Sequence, residues 1–151
     1  MTKNYQQVKN RSSKKPFLLL PREMITSDAY YNLSSSAIKL LICLGAQYYG
    51  TNNGDLTTAW TIMRERGWHS KQTLQKAMNE LEDAGFILRT RQGGRNKCNL
   101  FALTWISIDE CGGKLDVNST RIASNAWKLD PLVQLSGQPI TKTVPMKDNS
   151  K

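Results

Sequence analysis

TTAWTIMRERGWHSKQTLQKAMNELEDAGFILRTRQGGRNKCNLFALTW, residues 57–105, is the stretch whose reading decides the fold of this chain. Its middle is an amphipathic helix. Ser70 is placed to cap the free amides of a first turn, and Leu74, Ala77, Met78 and Leu81 recur at the spacing of one buried face. Gly85 supplies the stop, so the pattern predicts a helix over 71–84. Upstream, Ala59, Ile62 and Met63 form the inner face of a shorter helix over about 58–66, ended by Gly67. Downstream, 86–91 and 100–106 read as strands, and Gly93-Gly94 in the loop 92–99 allows a tight reversal.

Working outward, Ser34 is placed to cap another helix, SSAIKLLICLGAQYY. Its apolar face is Ala37, Leu40, Leu41, Leu44 and Tyr48. Gly45 interrupts it at modest cost and allows close packing of a neighbour, and Gly50 follows as the stop. Residues 51–55 carry a turn signal, Asn53-Gly54 favouring positive φ. Residues 22–33 read as irregular or one helical turn, and Phe17–Leu20 as an extended segment docked on the core. The expected fold is α+β: a winged helix-turn-helix of three helices with a C-terminal β-hairpin wing. Expected boundaries are a basic disordered arm at 1–16, the domain at 17–108 and a polar, partly disordered extension at 109–151, from which Trp127, Leu129 and Leu132 pack back.

The charge points the same way. The chain has 151 residues and a net charge of +9. Residues 1–16 hold five Lys/Arg and no acid, and residues 89–97 hold Arg89, Arg91, Arg95 and Lys97 and no acid. The remainder nearly balances. A localised positive field suits a polyanionic partner, although a solvated tail beside a basic loop would carry the same charges. Coincidence with the wing tip favours the first reading.

A recognition helix offers its N-terminal residues to the major groove. Here Lys71, Gln72, Thr73, Gln75 and Lys76 lie off the buried stripe. Gln pairs with adenine through two hydrogen bonds and Lys donates to guanine acceptors. Ser70, Thr73 and the first free amides suit a phosphate. Arg91, Arg95 and Lys97 would contact the backbone or a minor groove. Taken alone, this helix is also an ordinary amphipathic helix with a polar outer face; the basic hairpin that follows favours DNA.

Catalysis finds no support. There is no phosphate-binding lysine loop, nucleophile elbow or paired-acid signature. Tyr48-Tyr49 could suggest a strand-transfer nucleophile, but Tyr48 is placed on the buried stripe. Trp68 reads as core or a spacer between helices, and His69 as a cap or phosphate contact. With one His, and with Cys43, Cys98 and Cys111 in no CxxC spacing, neither a metal site nor a disulfide framework is expected. No cofactor is expected. Reduced thiols fit the cytoplasm, and no apolar run approaches the ~20 residues of a membrane helix.

SKQTLQKAMNELEDAGFILRTRQGG resembles the recognition helix and wing of GntR- and MarR-type regulators. The longer order FLLLPREMITSDAYYNLSSSAIKLL, NNGDL, SKQTL, GFILRTRQGG, FALTW is similar to small helix-turn-helix proteins of phages, plasmids and integrated elements, including replication-initiator DNA-binding domains. The resemblance implies DNA contacts at Lys71, Gln72, Thr73 and Gln75 and a wing-tip contact at Arg95. It covers residues 17–105 and leaves the C-terminal fifty unexplained. The expected function is non-catalytic, sequence-specific binding of double-stranded DNA in a mobile element, as a transcription regulator or replication accessory. The alternative is a protein-binding inhibitor or adaptor acting on a host nucleic-acid-binding complex. A single-strand or RNA binder is less favoured, because no exposed aromatic platform is evident beyond Trp68. A homodimer stays open.

Overall fold

Ser34 does what its position demands: its Oγ accepts from Ala37 N and starts a helix at Ser35. That helix belongs to a computed structural model describing residues 16–129. In chain order the elements are α1 (Arg22–Ile25), α2 (Asp28–Tyr31), α3 (Ser35–Gly45), β1 (Leu56–Thr57), α4 (Trp60–Glu65), α5 (Lys71–Asp83), β2 (Ile87–Arg91) and β3 (Leu100–Leu103). Single 3-10 turns follow at Cys111–Gly113 and Ala126–Lys128. The protein is α+β, with five helices and one antiparallel sheet in the order β1-β3-β2 among the described residues. Residues 1–15 of the arm expected at 1–16, and the extension past 129, Leu132 included, lie outside them.

The core is built by the faces that the periodicity marks. Ala37, Leu40, Leu41 and Leu44 of α3 meet Leu74, Ala77, Met78 and Leu81 of α5, all buried. Phe101 and Leu103 of the central strand join this layer. Leu100 and Ala102, on the strand's other face, join Ile108, Leu115 and Val117 in a second cluster. The sheet is therefore covered on both sides: by helices on one, and by the chain after β3 on the other. The boundary expected at 108 cuts through packed structure. Trp127 is also buried, its ring stacked on Phe86 with centroids 6.5 Å apart.

Several expected elements differ. Helix α3 stops at Gly45 instead of reaching Tyr49. Leu18 lies against the Gly45 Cα where a methyl group would sit, so the close packing expected there is real. Tyr48 is off the helix and half-buried, and Gly50, though at φ 109°, stops nothing. Helix α4 begins two residues late, because the chain before it is a strand: Leu56 faces Phe101 and Thr57 faces Leu100. The segment 22–33 forms two short helices, the second capped by Ser27. Of the strap 17–20, Leu18 and Leu20 pack inward while Phe17 and Leu19 are 77% and 71% exposed.

The turn at Asn53 does more than reverse the chain. Asn53 is fully buried. Its Nδ2 donates to the carbonyls of Leu103, Ile106 and Ser107 at 2.9–3.0 Å, and its Oδ1 accepts from Leu103 N at 2.8 Å. A buried amide so fully paired fixes the exit of β3. The neighbouring Cys111 thiol donates to Asn53 O; burial, with Asp55 and Asp109 close by, raises its pKa and keeps it protonated.

Candidate nucleic-acid interface

Helix α5 is anchored through its C-terminal turn by two carboxylates. At one face Glu80 takes two hydrogen bonds at 2.6 Å, from Ser34 N and Ser34 Oγ, so the cap of α3 also anchors α5. Near the C-terminus Glu82 receives Arg89 Nε at 3.1 Å and Nη2 at 2.9 Å, tying the helix to β2. Bidentate pairing fixes orientation as well as distance. Arg89 further donates to Gln92 Oε1 and lies 5.5 Å from the Phe101 ring centroid. With Leu74, Ala77, Met78 and Leu81 facing in, Gln72, Lys76 and Asn79 lie on the opposite, outward side of the helix.

Each residue expected to touch DNA can now be placed. Lys71, Gln72, Thr73, Gln75 and Lys76 are all exposed. The Gln75 Nε2 donates to Asn79 Oδ1 at 2.9 Å, which turns its amide along the helix. Ser70 is half-buried; its Oγ accepts from Thr73 N at 3.2 Å and keeps its proton for an outside acceptor. The wing cations divide. Arg91 spends its guanidinium on Cys98 O, at 3.3 Å from Nε and 3.1 Å from Nη2, bracing one side of the wing against the other. Arg95 and Lys97 are exposed. Of the four basic residues in 89–97, Arg89 is engaged with α5 and Arg91 within the hairpin, while Arg95 and Lys97 are exposed.

The wing itself turns elsewhere than expected. Gly94 and Lys97 exchange both backbone hydrogen bonds, at 3.0 and 3.1 Å, so Arg95-Asn96 is the reversal and Asn96 takes the positive φ of 64°. Asn tolerates that region better than most residues. Gly93 serves another need. A Cβ there would stand 2.7 Å from Asn99 N, and Gly93 N donates to Asn99 Oδ1 at 2.6 Å. Asp116 supports the base by accepting from Gln92 N at 2.9 Å. In β2 a bulge between Arg89 and Arg91 leaves Thr90 buried, its hydroxyl donating to Gly54 O at 2.6 Å. Bulges of this kind re-aim a strand end.

Between α5 and the wing lies a cleft of about 480 Å³. Lys71 and Gln75 line one wall and Gly93, Lys97 and Asn99 the other. Trp60, half-buried, also lines it, with Lys71 Nζ 5.8 Å from its ring centroid. Sequence reading passed over Trp60, whose place at the start of α4 gave no signal of its surroundings. It named Trp68 instead, which is buried and takes Lys39 Nζ over its ring at 5.1 Å. Lys39 also donates to Gly67 O at 2.7 Å, so Trp68 and Lys39 together brace the turn before α5.

Among the described residues no group of three or more His, Cys, Asp or Glu is arranged to hold a metal ion, and no helix is long and apolar enough to cross a membrane. Comparison with protein-family models, with curated proteins and with solved structures finds no match for this chain.

Proposed function

We infer that this chain is a winged helix-turn-helix protein that binds double-stranded DNA without catalysis, as a transcription regulator or replication accessory of a mobile element. One observation carries the reading: Lys71 and Gln75 of the exposed N-terminal half of α5 and Lys97 of the hairpin line the same cleft, with exposed Arg95 at the adjacent reversal. In this reading Gln72 and Lys76 meet base edges in the major groove. Lys71, Ser70 and Thr73 hold phosphate at the helix start, where amides and dipole favour an anion. Arg95 and Lys97 meet the neighbouring backbone or minor groove, and the arm 1–15 adds sequence-independent attraction. Arg91 contributes through the shape of the wing, not through DNA contact.

Titrating a duplex at increasing salt tests this. With several phosphates neutralised, log affinity falls linearly with log salt, at about −0.9 per phosphate contact. Absence of duplex binding at low salt would sink the reading and return the chain to the protein-binding alternative.

A further inference from the structure

The cleft between α5 and the wing is furnished for something smaller than a duplex. Its volume of about 480 Å³ lies in the range of small-ligand sites and cannot admit a double helix. No Asp or Glu is among the residues lining it. Its floor is apolar, from Trp60, Leu74 and Met78, while Lys71 and Lys97 stand on opposite walls.

Of the three amides that line the cleft, Gln92 and Asn99 present donors, while Gln75 spends its Nε2 on Asn79 Oδ1. Gln92 Oε1 is taken by Arg89 Nη1 at 3.0 Å, and Asn99 Oδ1 by Gly93 N at 2.6 Å. Among the described residues their NH₂ ends have no hydrogen-bond partner, so two amide donors join Lys71 and Lys97 in a cleft without a carboxylate. A ligand that fits must be flat and apolar on its face and anionic at its edge.

We propose that this cleft binds one unpaired nucleotide, with its base against Trp60 and its phosphate between Lys71 and Lys97. A base inside a duplex offers only its edges, because its faces are stacked. The unit must come from a strand end, a flap or an extruded base, or be a free nucleotide of the same chemistry. The inference rests on the nucleic-acid reading above and goes beyond it, since duplex recognition by α5 and the wing does not need Trp60.

The test compares the full chain on a blunt duplex, on the same duplex with a short thymidine overhang, and with thymidine monophosphate alone. The overhang is expected to bind at least fivefold tighter than the blunt duplex, the lower end of what stacking one base on an aromatic ring supplies. In Trp60→Ala the ratio of the two affinities falls to about one, and Trp60→Phe keeps part of it, which a merely structural tryptophan would not do. Lys97→Ala should lower overhang affinity more than blunt affinity, and it needs no repacking because Lys97 is exposed. If thymidine monophosphate alone quenches fluorescence in the wild type but not in Trp60→Phe, the site stands and its ligand is the free nucleotide. Equal affinity for blunt and overhang duplexes, with no response to the mononucleotide, overturns the proposal and leaves duplex binding intact. If no nucleic acid or nucleotide binds at low salt, both readings fail.

Discussion

Gln72 and Arg95 occupy different kinds of position, and their replacement should have different kinds of effect. Gln72 lies on the outward side of α5, and Arg95 at the reversal of the wing. Gln72→Ala is expected to flatten preference at one or two base pairs, by roughly 1–3 kcal/mol for a lost good contact. Arg95→Ala should weaken all sequences alike. Selection of binding sites on each variant separates them; uniform loss for Gln72→Ala would mean that α5 does not read bases. Asn53 holds the exit of β3 through four hydrogen bonds. Asn53→Ala strips partners from three carbonyls and one amide at the end of β3. Each buried group left unpaired costs roughly 1–3 kcal/mol, and in a domain of this size 1 kcal/mol moves Tm by about 3–6 °C. A drop of roughly 10 °C or more in a thermal melt is therefore expected. An unchanged melt would show that water replaces the side chain without loss.

At the scale of elements, the end of α5 is a double constraint. Gly85 has φ 80°, a region that costs a side chain about 1–3 kcal/mol. A Cβ there would also stand 2.5 Å from Ala126 O and 2.6 Å from Ala126 C, which are backbone and cannot rotate aside. Gly67, which ends α4 at φ 83°, meets only Lys39 Nζ at 3.5 Å. Gly67→Ala should therefore show the conformational cost alone, and Gly85→Ala that cost plus displacement of the 3-10 turn at Ala126–Lys128. Chemical denaturation of the pair measures the difference. Equal losses would show that the turn yields freely and is not seated on α5.

At the scale of the whole molecule, the chain after β3 is structural. Trp127 stacks on Phe86, which also meets Tyr30 edge-on at 6.4 Å. Trp127→Ala should cost about 3–5 kcal/mol, as large-to-small changes in a core do. That is a large share of the ~5–15 kcal/mol by which such domains are stable. Duplex affinity should then fall only with the folded fraction, because Trp127 does not line the cleft. A melt and a binding titration on the same sample check this. A Tm like the wild type's would place the Ala126–Lys128 turn outside the cooperative core.

What the sequence determined by itself is local: caps and periodic faces. Ser34 and Ser70 begin their helices, and the stripe of α5 and that of α3 as far as Leu44, though not Tyr48, are buried as their spacing requires, since a helix repeat puts those side chains on one face whatever surrounds it. Lys71, Gln72, Thr73, Gln75 and Lys76 are exposed for the same reason. Tertiary structure decided whatever depends on a distant partner. The two-residue strand β1 exists only because β3 lies beside it. Arg91 reads in sequence as one more wing cation, and only the folded hairpin brings Cys98 O to its guanidinium. Trp60 became part of a cleft through contact with α5 and the wing. One signal was legible and passed over. Leu100-Phe101-Ala102-Leu103 is apolar without alternation, as in a strand buried on both faces. Such a strand needs a second covering layer, and the chain beyond 108 was the length left to provide it.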